Sequence, residues 1–313
     1  MIFGRPLLFH RGARNVQVGV PLVSAKPDPD MALRATVIDS FALILALLLL
    51  GSPVGAQQPQ KNSRLKTIEQ CNGADRIPAE ARVAACTVLI NSGDVRADAL
   101  AVAFNNRGNA YIATAEYDRA ISDFGQAIEL ASGYAKPVNN RGVAYLRKGA
   151  YDEAIKAFDA AIRLNPGYGS AFANRAEARL KLSQYDQALR DFDEAIRLDP
   201  DLTLARSGRC WTRAIIGDLQ AGLDDCDRAI QSGSNDAATY DSRALIHLKM
   251  GQLAAAIDDY NSALGTAPNL ASALYGRGLA RLRQGDKAGD RDVSAARLIN
   301  AKVGDELARL GVR

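Results

Sequence analysis

Arginine recurs at Arg107, Arg141, Arg175, Arg209, Arg243 and Arg277, each 34 residues after the one before. A period of this length constrains the fold more than any single motif, because so short a unit cannot enclose a core and must stack on its neighbours. Other columns keep the same step. Small residues occupy Gly108, Gly142, Ala176, Cys210, Ala244 and Gly278. A second small column runs Ala120, Ala154, Ala188, Gly222 and Ala256, and a third Ala127, Ala161, Ala195, Ala229 and Ala263. Phe124, Phe158, Phe192 and Tyr260 form a bulky column, while Pro166, Pro200 and Pro268 close three of the units.

Each unit reads as two amphipathic helices joined by a short turn. In the second unit the first helix is expected over 136–147, Gly149 breaks it, and the second helix spans 151–164. Ala154, Ile155, Phe158, Ala161 and Ile162 then share one apolar face by their three-and-four spacing. Asn165-Pro166-Gly167 ends that helix, since proline cannot continue it and glycine accepts the turn. Aromatics are only 6% of the chain, which favours helices in close approach over a thick aromatic core. Stacking such pairs yields an all-α solenoid.

These columns resemble the tetratricopeptide repeat family, whose 34-residue unit carries the same small–small–bulky–proline arrangement. The resemblance covers six units, 101–134, 135–168, 169–202, 203–236, 237–270 and 271–304. It implies a right-handed superhelical solenoid of antiparallel helix pairs whose inner groove binds segments of other proteins. Asn106-Arg107-Gly108 and Asn140-Arg141-Gly142, with the Ala-Ile-x-x-Phe of the second helices, are similar to exported bacterial members. Arg206 replaces the family's first-helix aromatic in unit four, and unit six loses its alanine and phenylalanine columns at Asp290 and Ser294. A terminal unit presents a polar face, so 302–313 is expected to hold a capping helix over 302–310. Upstream, 67–100 reads as a degenerate cap repeat with a second helix around 82–90 but no good first one, preceded by a polar leader at 57–66.

Carried over by position, the partner groove comprises Asn105, Asn109, Lys136, Asn139, Val143, Arg147, Glu177, Lys181, Leu204, Trp211, Asp241, Leu245, Tyr275 and Leu279. Its N-terminal half is polar, with amides suited to an extended peptide backbone, and its C-terminal half is apolar around Trp211. The lysine, arginine and asparagine set of chaperone-tail-binding members is absent, with Ser170 and Asn174 where bases are needed. The arginine column itself reads as structural: aliphatic stems pack along the seam while the heads reach Asp123, Asp191, Asp225 and Asp259, with a gap at Ala157.

Residues 41–50, FALILALLLL, follow Met31 and Arg34 and precede Gly51-Ser52-Pro53-Val54-Gly55-Ala56. A basic start, a short apolar core and small residues make 31–56 a secretory signal cleaved after Ala56. The alternative is an uncleaved anchor, which would make the protein a periplasm-facing assembly factor. Residues 1–30 read as a mis-annotated or disordered extension before a true start at Met31. The remainder carries 34 basic and 32 acidic side chains, so nothing points to nucleic acid.

Export to the periplasm makes disulfides the default. Cys210 and Cys226 occupy facing columns of unit four, and Cys71 and Cys86 form an equivalent pair in the cap; isolated buried thiols are the alternative. No Cys-x-x-Cys, phosphate loop or nucleophile elbow occurs, and His247 is the one histidine after Ala56, in a column that holds Tyr111 and Tyr145. The expectation is a non-catalytic exported scaffold for a protein or peptide, with no catalytic residue, cofactor or metal. An enzyme or enzyme subunit is the weaker reading.

Overall fold

The computed structural model describes residues 57–73 and 77–312, with side chains from Ser63 onward. The proposed signal and the residues before it lie outside the described residues. Contacts divide the chain after Arg64, and nearly everything described belongs to the second unit. No helix among the described residues is long and apolar enough to cross a membrane.

Fifteen helices and no strand occur among the described residues. α1 (Gln57–Asn72) and α2 (Ala79–Asn91) precede six helix pairs. The pairs are α3 (Ala97–Ala113) with α4 (Tyr117–Leu130), α5 (Ala135–Lys148) with α6 (Tyr151–Leu164), and α7 (Gly169–Lys181) with α8 (Tyr185–Leu198). They continue as α9 (Thr203–Ile216) with α10 (Leu219–Gln231), α11 (Ala237–Lys249) with α12 (Leu253–Thr266), and α13 (Ala271–Arg283) with α14 (Gly289–Ile299). α15 (Val303–Arg309) closes the stack where a capping helix is expected. Each helix packs on its partner and on the next pair. First helices also touch the first helices of neighbouring units, whereas second helices do not touch one another. The first-helix side is therefore the inner side of the solenoid.

Small and bulky columns meet as their step demands. A Cβ on Gly108 would come within 2.7 Å of the Phe124 ring, and one on Gly142 within 2.5 Å of Phe158. Phe192 and Tyr260 press likewise on Gly208 and Gly276 of the following unit. All four rings are at most 2% exposed, so one side chain joins two helices of its own unit to the next. Turns repeat as well. Ala115, Gly149, Ser183, Gly217, Gly251 and Gly285, again at the 34-residue step, all have positive φ, which glycine adopts without the strain an L side chain incurs.

Three sequence expectations change. The leader at 57–66 is continuous with the cap as α1, because Pro59 lies in the first turn, where its missing N–H is not needed. Its mainly polar composition hides this helix, which supplies the first member of the cap pair. The first full unit starts at Ala97, four residues before the repeat boundary. In unit six, one residue is missing between Asp286 and the helix, so Gly289, Asp292, Val293 and Ala296 take the column places expected at 290, 293, 294 and 297. Gly289 lies against Gly278 and Leu282, Val293 lies beside Gly278, and Ala296 is buried. The unit keeps its contacts and merely changes register.

Both cysteine pairs are joined, Cys71 to Cys86 and Cys210 to Cys226, with Cα atoms 4.8 and 5.4 Å apart. The second bridge occupies the place of a ring on glycine in earlier units. Protein purified without reductant is expected to leave none of the four cysteines open to alkylation by mass spectrometry; four labelled thiols would refute the pairing. Replacing Cys210 and Cys226 together by alanine is expected to lower unfolding stability by about 3 kcal/mol, read from the denaturant midpoint.

Candidate functional site

The arginine column forms a ladder. In α3, Arg107 donates from Nε and Nη2 to the two carboxylate oxygens of Asp123 in α4, each at 2.8 Å. The same fork recurs as Arg175–Asp191, Arg209–Asp225, Arg243–Asp259 and Arg277–Asp292. Nη1 of the last four arginines then reaches the second helix of the unit before, at Asp159, Asp193, Asp227 and Asn261. Arg107 finds Thr87 of α2 there, at 3.0 Å. One guanidinium thus ties three helices. Phe104, Phe172 and Tyr240 add a ring 5.3–5.8 Å from Arg107, Arg175 and Arg243.

Three of the five forked carboxylates receive a second arginine four residues along the first helix, and a fourth has a histidine there. Arg179, Arg213 and Arg281 pair with Asp191, Asp225 and Asp292, and His247 Nε2 lies 3.6 Å from Asp259. His247 thus stands beside the ladder, with its Nδ1 2.5 Å from Gln252 Oε1. Hydrogen bonding to Asp123 holds Arg107 above its usual value against the opposing effect of burial. Burial pulls Arg175 and Arg209 down, and their two carboxylates more than reverse it. The forked aspartates are only 3–11% exposed, and removing one partner of such a buried pair costs about 3–5 kcal/mol. Asp159, Asp193 and Asp227 were missed in the sequence although they too keep the 34-residue step. Asp292 was hidden by the shifted register.

The groove residues divide into two sets. Asn105 and Asn139 are 1% and 4% exposed and belong to an amide chain. Asn174 donates to Asn139, Asn140 to Asn105 and Asn106 to Asn72, at 2.9–3.0 Å. Their amides stitch successive first helices together rather than awaiting a peptide. Asp241 is buried and accepts from Ser272 Oγ at 2.8 Å, and Leu245 lies in the core. Tyr275 sits against Gly304 of the cap, with Arg297 5.8 Å from its ring centre. The stacking of first helix on first helix consumes these side chains.

Asn109, Val143, Arg147, Glu177, Lys181, Leu204, Trp211 and Leu279 remain partly accessible, and Lys136 is exposed. Arg147, Glu177 and Lys181 come together across α5 and α7. Burial pushes the Lys181 ammonium below its usual value, with Glu177 opposing and Arg147 reinforcing the shift. Trp211 and Leu279 rest on the C-terminal core cluster. Among the described residues, no group of three or more His, Cys, Asp or Glu is placed to hold a metal.

Against this geometry, models of the tetratricopeptide repeat match residues 105–169, 169–202 and 242–299. The chain is a tetratricopeptide repeat protein. The matches skip 203–241, the unit in which a disulfide replaces the ring and Arg206 the aromatic. A tetratricopeptide repeat protein from Parabacteroides merdae ATCC 43184 is similar in structure, with TM-score 0.58 and 19% identity over 80% of this chain and 100% of that one. The Cut9–Hcn1 hetero-tetramer of the APC/C gives a TM-score of 0.64 at 17% identity, over 79% of this chain and 51% of that one. Pseudomonas aeruginosa PilF gives 0.56 at 13%, over 64% and 90%. At these identities the likeness is one of fold. No curated protein matches the chain in sequence.

Burial raises the Asp241 carboxyl to about 7, and the Ser272 hydrogen bond only partly opposes it. The unfolded carboxyl titrates at about 4. Between those two values the unfolded chain has released a proton that the folded protein still holds. This repeat protein therefore loses stability as pH rises from about 4 through about 7, by about 1.4 kcal/mol for each pH unit in that window. Asp241→Asn is expected to raise the melting temperature at pH 8 and leave it nearly unchanged at pH 4. An equal effect at both pH values would show that the carboxyl ionises as easily folded as unfolded.

Proposed function

We propose that this tetratricopeptide repeat protein is a non-catalytic scaffold, exported to an oxidising compartment, that holds a segment of another protein along its first helices. One observation carries the reading. The columns whose chemistry repeats, namely the small residues, the rings and every column arginine but Arg141, are used up inside the stack. The column Asn109, Val143, Glu177, Trp211, Leu245 and Leu279 keeps the 34-residue step on the inner helices but changes chemistry at every unit except the last two. All but Leu245 retain surface. A stack needs uniform side chains where units meet, whereas a recognition surface needs different ones along its length.

The polar end at Asn109, Arg147, Glu177 and Lys181 supports charge-directed register, and the apolar end at Trp211 and Leu279 supports anchoring. Tryptophan on such a face is the residue type that dominates binding energy when covered. Two disulfides support export, because such bonds persist outside the reducing cytosol. A role in envelope assembly, secretion or stress is the further part of the proposal. A photoreactive residue at 211 or 143 is expected to capture the same protein, while one at Lys156, exposed on a second helix, captures none of it. Equal capture at all three positions, or none at 211 and 143, would remove the inner face as the binding surface.

A further inference from the structure

Arg141 is the column arginine whose rung is empty. Its own-unit partner position holds Ala157, its preceding-unit position holds Gly125, and Val138 stands where three other units offer a ring. Its Nε is buried without a hydrogen-bond partner, and the side chain makes no hydrogen bond or ion pair among the described residues. All three supports are thus missing at one unit while the guanidinium is present. A cation held partly out of water with nothing opposite it is unfavourable until an anion arrives.

The intact rungs show which anion fits and from where. At Arg175, Arg209 and Arg243 the Nη1 partner is an aspartate on the preceding second helix, at 2.5–2.7 Å. Those outer aspartates are 36–57% exposed, so this half of the rung opens to solvent. At unit two the corresponding residue is Gly125, and a Cβ added there would meet no atom within 4 Å. The space an aspartate fills elsewhere is clear, on the same backbone frame and beside the same kind of guanidinium.

We propose that Arg141, above Gly125, is a docking site for the side-chain carboxylate of an aspartate or glutamate on a partner protein, which completes the rung in place of the missing internal aspartate. A carboxylate suits the site because its planar oxygens match the guanidinium fork, and because every intact rung is built with one. The site lies on the seam between first and second helices, apart from the inner-face column of the proposed scaffold surface. Its success or failure is thus independent of capture at 211 and 143.

The test uses the purified protein and a capped hexa-aspartate peptide, with capped hexa-asparagine, sodium acetate and sodium phosphate as comparators at matched ionic strength. Nuclear magnetic resonance follows the Arg141 Nε–H and the Gly125 and Gly142 amides. Hexa-aspartate is expected to shift all three saturably, at least tenfold more tightly than hexa-asparagine, acetate or phosphate. Gly125→Asp fills the rung from within and is expected to raise the melting temperature and weaken the peptide response at least tenfold. Arg141→Met is expected to abolish the glycine shifts without lowering the melting temperature, since no internal partner is lost and an unpaired charge is removed. The proposal is overturned by an absent Arg141 response or by shifts that survive Arg141→Met. Acetate or phosphate binding as tightly as hexa-aspartate would make it a small-anion site and overturn it equally.

Discussion

A forked arginine joining three helices is the interaction on which the rest of this solenoid depends. Apolar contacts between small and bulky columns hold helices together, but they are smooth and tolerate sliding. The guanidinium fork does not. Its two donors fit one aspartate of the same unit, and its third reaches back to the unit before, so angle and spacing are set at once. With the carboxylates nearly buried, loss of either partner leaves a charge with no water to solvate it. Unit two shows the limit of that rule, because there the carboxylates are gone and the arginine is kept.

The rings perform the complementary apolar task. Phe192 against Gly208 and Tyr260 against Gly276 cross from one unit into the next, so no unit has a core that ends at its own boundary. Unit four answers the same requirement with a covalent bond between Cys210 and Cys226. A disulfide fills less space than a ring but cannot part, which suits a unit whose first helix carries Arg206 in place of an aromatic. Unit six answers with a shortened helix start that moves Asp292 under Arg277.

Function sits in what this bookkeeping leaves over. Amides at Asn105 and Asn139 sit where a peptide would be read in a groove of this kind, yet they link first helix to first helix. The surface that remains is narrower, polar near Lys181 and apolar near Trp211. Under the proposed function, such a gradient would give a bound segment a direction as well as a place.

The sequence alone determined the repeat, the helix pairing, both cysteine pairs and the main aspartate partners, because each depends on spacing along the chain and spacing is conserved on folding. It also exposed the gap at Ala157. Tertiary structure alone decided which inner positions were already occupied, that the polar segment at 57–66 is helical, and that unit six is displaced by one residue. Asn105 and Asn109 look equally available in a string of letters. Only the approach of the neighbouring helix buries one and spares the other, since burial depends on distances between units that a 34-residue period does not contain.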